Sequence, residues 1–224
     1  MYKSLKRLLD ILLASVAMII LSPLFMAVVV VLALTGEHEI FYRQKRIGYK
    51  GRPFHIWKFA TMVKNSPNIG TREITVRNDP RVTPVGRILR ISKINELPQI
   101  INVLTGEMSI VGPRPLMEVS YKMYPENIRD RIYQNKPGIT GIGSLVFRDE
   151  EEIVSQAQDP RKAYEAIFTY KADLESWYLK HQSFFTDTKI ILLTAFAILF
   201  RENSLTRKWF TDLPQQHSQP VQVA

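Results

Sequence analysis

Apolar positions dominate the chain from residue 8 to residue 34, LLDILLASVAMIILSPLFMAVVVVLAL. As one helix this run would be roughly 40 Å long, more than the ~30 Å of a bilayer's hydrocarbon layer requires. Two features argue against a simple crossing. Ser22-Pro23 lies near the middle, where the proline ring removes the hydrogen bond to the Ile19 carbonyl and bends the helix. Lys3, Lys6 and Arg7 precede the run and Arg43, Lys45, Arg46, Lys50 and Arg52 follow it, so the positive-inside rule puts both flanks on the cytoplasmic side. The pattern predicts a re-entrant membrane hairpin over residues 1–40, broken at Ser22-Pro23. A straight span is the rival, since neighbouring groups can satisfy the carbonyl freed by a proline. A secretory leader fits poorly, because its apolar core is shorter and rarely carries an acid such as Asp10. Asp10 needs a partner in or near lipid, and Lys6 or Arg7, one turn back, is the expected one.

Beyond the hairpin the pattern changes repeatedly. Leu97, Ile100, Ile101 and Leu104 recur at helical spacing and Thr105-Gly106 supplies a stop, which predicts a helix with Pro98 in its first turn. Residues 159–181 read as a capped amphipathic helix with a break inside it, and residues 54–59 and 108–111 as short strands. Residues 190–200, IILLTAFAILF, are apolar all round but only about 16 Å long as a helix, too short to cross, so an interfacial or core helix is expected. Lys208-Trp209-Phe210 resembles an interface anchor, and the polar segment beyond it a partly disordered tail over 206–224. The fold class expected is α/β, predominantly helical with a small β-sheet, one membrane-associated catalytic domain spanning 41–205.

Charge sharpens this picture. Lys and Arg number 30 against 21 Asp and Glu in 224 residues, a net charge of +9, so the natural partners are anionic. Seven of the cations lie between residues 41 and 64 with no acid among them after Phe41, interleaved with Phe41, Tyr42, Tyr49, Phe54, Trp57 and Phe59. That stretch is expected to lie on anionic membrane lipids with its aromatics at headgroup level. No nucleic-acid reading motif accompanies the charge, so no nucleic acid is expected. The chain has no cysteine, which excludes disulfides, thiolate metal sites and cysteine catalysis. Dinucleotide and Walker phosphate loops are also missing from the sequence.

The candidate chemistry lies in SKINELPQIINVLTGEMSIVGPRP, residues 92–115. Glu96 falls at or near a helix N-terminus, where the dipole keeps a carboxylate ionised and backbone amides can receive a phosphate. Such a carboxylate can hold Mg²⁺ against a diphosphate. Gly112-Pro113-Arg114-Pro115 then forms a rigid loop aiming one guanidinium, suited to bidentate phosphate binding.

The chain resembles the small monotopic phosphoglycosyl transferases of the bacterial sugar transferase family. KRLLDILLAS with Ser22-Pro23, FYRQKRIGYKGRPFHIWKFATM, DPRVTPVGRILR, NELPQIINVLTGEMSIVGPRP and KPGITG carry the resemblance, in that order. It implies transfer of a phosphosugar from a nucleotide sugar, usually a UDP-sugar, to undecaprenyl phosphate. UMP would be released with Mg²⁺ as cofactor, at the cytoplasmic face of the bacterial inner membrane, as the initiating step of exopolysaccharide or lipopolysaccharide assembly. It also implies phosphate contacts at Arg114 and Arg148, to which Arg90, one turn before Asn95, adds a third candidate. A homodimer is left open.

Within that family an Asp-Glu pair heads the helix, the Asp attacking the diphosphate and the Glu binding Mg²⁺. Glu96 matches the second member, whereas Asn95 replaces the first, and an amide cannot readily form an acyl-phosphate. Three routes follow. Glu96 attacks, or the lipid phosphate attacks directly while Glu96 and Asn95 assist; another acid such as Asp79 or Glu107 attacks; or the protein is a catalytically impaired membrane-bound scaffold. Ala60 in KFATM also stands where the family often has a basic residue, and GIGSLVFRDEEEIV departs from the usual continuation, which leaves the sugar undefined.

Overall fold

A computed structural model of the chain describes residues 2–66, 79–200 and 205–215. Tyr2–Leu34 forms a single helix, α1, of 33 residues with Pro23 inside it. It is about 50 Å long, and its length and apolarity would suffice to cross a membrane. The expected separation into two half-helices at Ser22-Pro23 does not occur, for a local reason. Ser22 Oγ donates to the Ile19 carbonyl at 2.8 Å, filling the acceptor that the proline leaves empty, and helical structure continues. One stripe of α1, including Ala14, Leu21, Phe25, Val28 and Leu32, packs on the rest of the protein. The opposite face leaves Leu8, Ile19, Ile20 and Leu34 largely exposed.

The basic, aromatic stretch folds as an antiparallel hairpin, β1 (Phe41–Ile47) on β2 (Pro53–Phe59). Its aromatics turn inward where membrane contact was expected. Phe59 is buried, Phe41 stacks on it at 5.6 Å and Phe25 of α1 lies 4.9 Å away, while Tyr42 stays exposed. After α2 (Pro84–Ile91) comes α3 (Gln99–Thr105), which stops at Gly106 in the left-handed region, φ 86°, as predicted. Then β3 (Ser109–Val111) pairs in parallel with β4 (Gly138–Thr140), with α4 (Glu118–Lys122) and α5 (Glu126–Ile132) between them. The sheet content is therefore two separate strand pairs. A Cβ on Gly112 would sit 2.4 Å from the Lys136 carbonyl, so only glycine lets the chain leave β3 toward Arg114 this close to the strand beside it.

The remaining helices are α6 (Ile142–Val146), α7 (Glu150–Gln156), α8 (Pro160–His181), α9 (Phe184–Phe200) and α10 (Leu205–Trp209). α8 is continuous, without the break expected from its sequence. α9 is a core helix on one face and exposes apolar residues on the other. Ile190, Leu193 and Ala197 enter the core with Leu174 and Tyr178, while Leu192, Leu199 and Phe200 remain on the surface. Residues 206–215, expected to start the tail, pack into the body instead: Phe210 and Leu213 are buried, and Trp177 Nε1 donates to Asp212 at 2.9 Å. Trp209 is exposed and Phe210 is not, so that pair forms half of an interface anchor at most. The last nine residues of the expected tail, 216–224, lie outside the described residues.

Polar contacts fasten the first turns of α1 to three different elements. Asp10 accepts from Ser109 Oγ and from the Ile110 amide, both at 3.0 Å, and Arg7 donates to the Val103 and Leu104 carbonyls at the end of α3. Asp187 of α9 accepts from Tyr2 at 2.5 Å, from Tyr178 at 2.6 Å and from Lys6. The Asp10 pairing expected within α1 is thus replaced by tertiary partners. Strand amides and helix-end carbonyls offer buried, directional bonds that a solvent-facing helix pair cannot match.

Candidate active site

Glu96 occupies a corner between two short helices. Thr83 caps α2, its Oγ1 accepting from the Gly86 amide at 2.9 Å, and Pro84 fits the first turn. The chain turns back at Lys93, a non-glycine residue with φ 59°, into one 3-10 turn, Ile94–Glu96, ahead of Pro98 and α3. A left-handed lysine costs on the order of 1 kcal/mol. It places Lys93 and Glu96 on the wall of the same cavity. Asn102 of α3, fully buried, then locks this corner to β2: its Oδ1 accepts from the Trp57 amide at 3.0 Å and its Nδ2 donates to the His55 carbonyl at 2.8 Å.

That lock brings Lys58 of β2 against Glu96, Nζ to Oε1 at 3.2 Å, with Arg114 Nη2 at 3.8 Å from the same oxygen. Burial by itself would raise the Glu96 carboxyl. Lys58, Arg114 and Lys93 together with the Lys58 hydrogen bond outweigh it and hold the group at about 2. Burial pulls Lys58 down to about 8 against the opposing pull of Glu96, and burial beside Arg114 lowers Arg46 to about 10. Lys58 and Arg46 were not among the residues singled out from the sequence. The available signal was alternation: Lys58 follows Phe54 and Ile56 on the inward face of β2, and Arg46 is the cross-strand partner of Phe54.

A cavity of about 890 Å³ opens beside Glu96. Arg90, Arg114 and Arg148, predicted separately, all line it. Arg90 Nε donates to Thr61 Oγ1 at 2.9 Å, which fixes its direction, and Arg148 carries a buried Nη1 with no hydrogen-bond partner. Arg87, Lys93 and Lys171 add three cations the sequence reading did not name. Lys171 is partly neutralised by Glu150 Oε2 at 2.6 Å. Asn95 is placed differently. It is buried, its Oδ1 has no partner, and it is not among the residues lining the cavity. Asp79 reaches the cavity but is held by Arg81 through bonds of 2.6 to 3.2 Å, and Glu107 is engaged by Asn102 at 2.8 Å. Glu96 is likewise engaged, by Lys58 and Arg114. Ser22 and Pro23 are exposed on α1.

Lys58 gives the site a testable pH dependence. Glu96 stays ionised at every pH above about 3, so it contributes no acid limb in the ordinary carboxylate range. The Lys58 ammonium is lost as pH rises through about 8, leaving Glu96 without its nearest counter-charge. Activity is expected to fall on the alkaline side with a midpoint near that value, and Lys58→Arg, always charged, should move the limb upward by at least one unit in a pH-rate profile.

An ionised carboxylate thus shares its cavity with three arginines, in a chain that carries a long apolar helix. The chain belongs to the bacterial sugar transferase family, whose profile matches residues 1–201. It is 31% identical over 215 residues to the exopolysaccharide production protein ExoY of Rhizobium meliloti, covering 89% of this chain and 87% of that protein. It is 36% identical over 195 residues to the UDP-glucose:undecaprenyl-phosphate glucose-1-phosphate transferase of Escherichia coli, covering 86% of this chain but only 39% of the relative. An N-acetylgalactosaminephosphotransferase of Aeromonas hydrophila that uses undecaprenyl phosphate is 34% identical, with 88% and 44% coverage.

Proposed function

We propose that the protein transfers a phosphosugar from a UDP-sugar to undecaprenyl phosphate, releasing UMP. The observation that carries this is the Glu96 carboxylate, held ionised at the edge of a cavity that Arg90, Arg114 and Arg148 also line. Since Asn95 offers no anionic oxygen and does not line the cavity, the acceptor's phosphate oxygen attacks the sugar-bearing phosphorus directly. A new P–O bond forms to the lipid phosphate, the diphosphate bridge breaks, and UMP leaves with the bridging oxygen. Arg90, Arg114 and Arg148 bind and orient the phosphoryl oxygens while Glu96 and Lys58 set the local charge.

No group of three His, Cys, Asp or Glu side chains suited to a metal occurs among the described residues. One carboxylate plus a substrate diphosphate nevertheless meets the usual demand of Mg²⁺, so Glu96 would hold it jointly with the donor. When bound, Mg²⁺ would neutralise charge on the diphosphate. The reading is tested by incubating the purified protein with a UDP-sugar panel and undecaprenyl phosphate and following sugar into the organic-extractable fraction. Mg²⁺-dependent, chelator-sensitive lipid-linked sugar is expected; its absence with every donor would favour the scaffold reading.

The anchor is monotopic in this proposal, with both ends of α1 at the cytoplasmic face of the inner membrane. Supporting this, Arg7 and Asp10 near one end and Val28 and Leu32 near the other contact the same body. A helix held to one body along its length has no room to leave it across a bilayer. Cysteines introduced at Ser4 and Glu37 should react with a membrane-impermeant maleimide from the same side; labelling from opposite sides would establish a span.

A further inference from the structure

We infer that the acceptor's hydrocarbon chain enters the cavity through a slot between α1 and α9, head first toward Arg148. The two helices meet at their starts, with Tyr2 and Lys6 on Asp187. About two to three turns further along, both line the cavity, α1 with Leu13, Ala14 and Ala17 and α9 with Thr194, Ala197 and Ile198. Ile110 of β3 and Ile139 of β4 form the floor. Each wall is tied to that floor, α1 through Asp10 to Ser109 and Ile110, α9 through Thr194 to Thr140 at 2.7 Å. Small side chains therefore line a gap whose walls are held in place rather than free to collapse.

The lining of this space combines two chemistries. At its outer rim Leu13 and Ile198 line the cavity and are also about half exposed, at 42% and 51%, continuous with the uncovered apolar face of α1. The same lining includes Arg148, whose buried Nη1 is unpartnered, and Arg114, itself 43% exposed. An apolar passage that opens on an apolar surface and shares its lining with guanidinium groups is complementary to an amphiphile with a phosphate head. The naming of that amphiphile as a polyprenyl phosphate rests on the transfer reading above; the slot itself rests on the lining residues. Ala14, Ala17 and Ala197 provide the width an unsaturated, methyl-branched chain needs.

The test is photo-crosslinking of the full-length purified protein in nanodiscs with a polyprenyl phosphate carrying a diazirine on its hydrocarbon chain, followed by mapping of adducts. Adducts concentrated on Leu13, Ala17 and Ile198 are expected. Excess undecaprenyl phosphate should suppress them and phosphatidic acid should not. Ala17→Trp should reduce them at least tenfold while UDP-sugar affinity changes less than twofold; Leu13→Trp, at the exposed rim, serves where the first variant fails to fold. Adducts spread over the outer face at Ile19 and Ile20, and indifferent to both variants, would overturn the slot, as would equal suppression by phosphatidic acid. Slot labelling without turnover would support the slot and count against the transfer reading; turnover without slot labelling would do the reverse.

Discussion

Glu96→Gln is expected to lower kcat by roughly 10³-fold, the scale seen when one preorganised electrostatic group is removed from an active site. The substitution keeps shape and removes only charge. Lys58, buried and 3.2 Å away, then loses the one interaction that most raises its pKa against burial, and a larger fraction becomes neutral near pH 7. Donor binding should weaken less than turnover, because Arg90, Arg114 and Arg148 still line the cavity although the carboxylate that would help hold Mg²⁺ on the diphosphate is gone. The expected signature is therefore a fall in kcat much larger than any rise in KM for the UDP-sugar. A loss smaller than tenfold, or one confined to KM, would remove Glu96 from the chemistry and reduce it to a neutraliser of the arginines.

The second large effect is structural. Asp187→Ala is expected to destabilise the protein by about 3–5 kcal/mol, the usual result of removing one partner from a buried ion pair. Asp187 and Lys6 are each only about a tenth exposed, and Tyr2 and Tyr178 lose their acceptor in the same step. Denaturant unfolding measures the loss, and limited proteolysis before residue 10 should show the first turns of α1 released from α9. Lys6→Ala should cost less, since Asp187 would keep both tyrosine donors. If the two variants are equally mild, the Asp187 junction does not set the position of the anchor.

How much of this could be read from sequence depended on whether the deciding interaction was local. The helix from Gln99 to Thr105, its proline start and its glycine stop follow from neighbours a few residues apart, and they were legible. Glu96 and Arg114 were each named from local pattern, but their 3.8 Å approach joins residues 18 positions apart and was not legible. Lys58 and Arg46 were hidden within a basic stretch that composition alone assigns to a lipid surface. What turns them inward is pairing of β1 with β2 and the Asn102 lock, both nonlocal. Asp10 was misassigned for the same reason: its partners on β3 are about a hundred residues away. Ser22-Pro23 was recognised as a weak point, yet one hydroxyl supplies enough hydrogen bonding to keep α1 a single element. The tail boundary failed because Phe210 and Leu213 lie in a short, mostly polar segment, and only the core cluster they join explains their burial.

The central claim is that phosphosugar transfer proceeds with asparagine at position 95. UMP release from a UDP-sugar panel by the wild-type protein, with and without undecaprenyl phosphate, beside Asn95→Asp, tests it most directly. The account predicts acceptor-dependent UMP release by the wild type, at a rate that aspartate at this buried position does not raise by more than a few fold. A silent wild type that gains activity on Asn95→Asp would contradict it and identify Asn95 as the change that disarmed the enzyme.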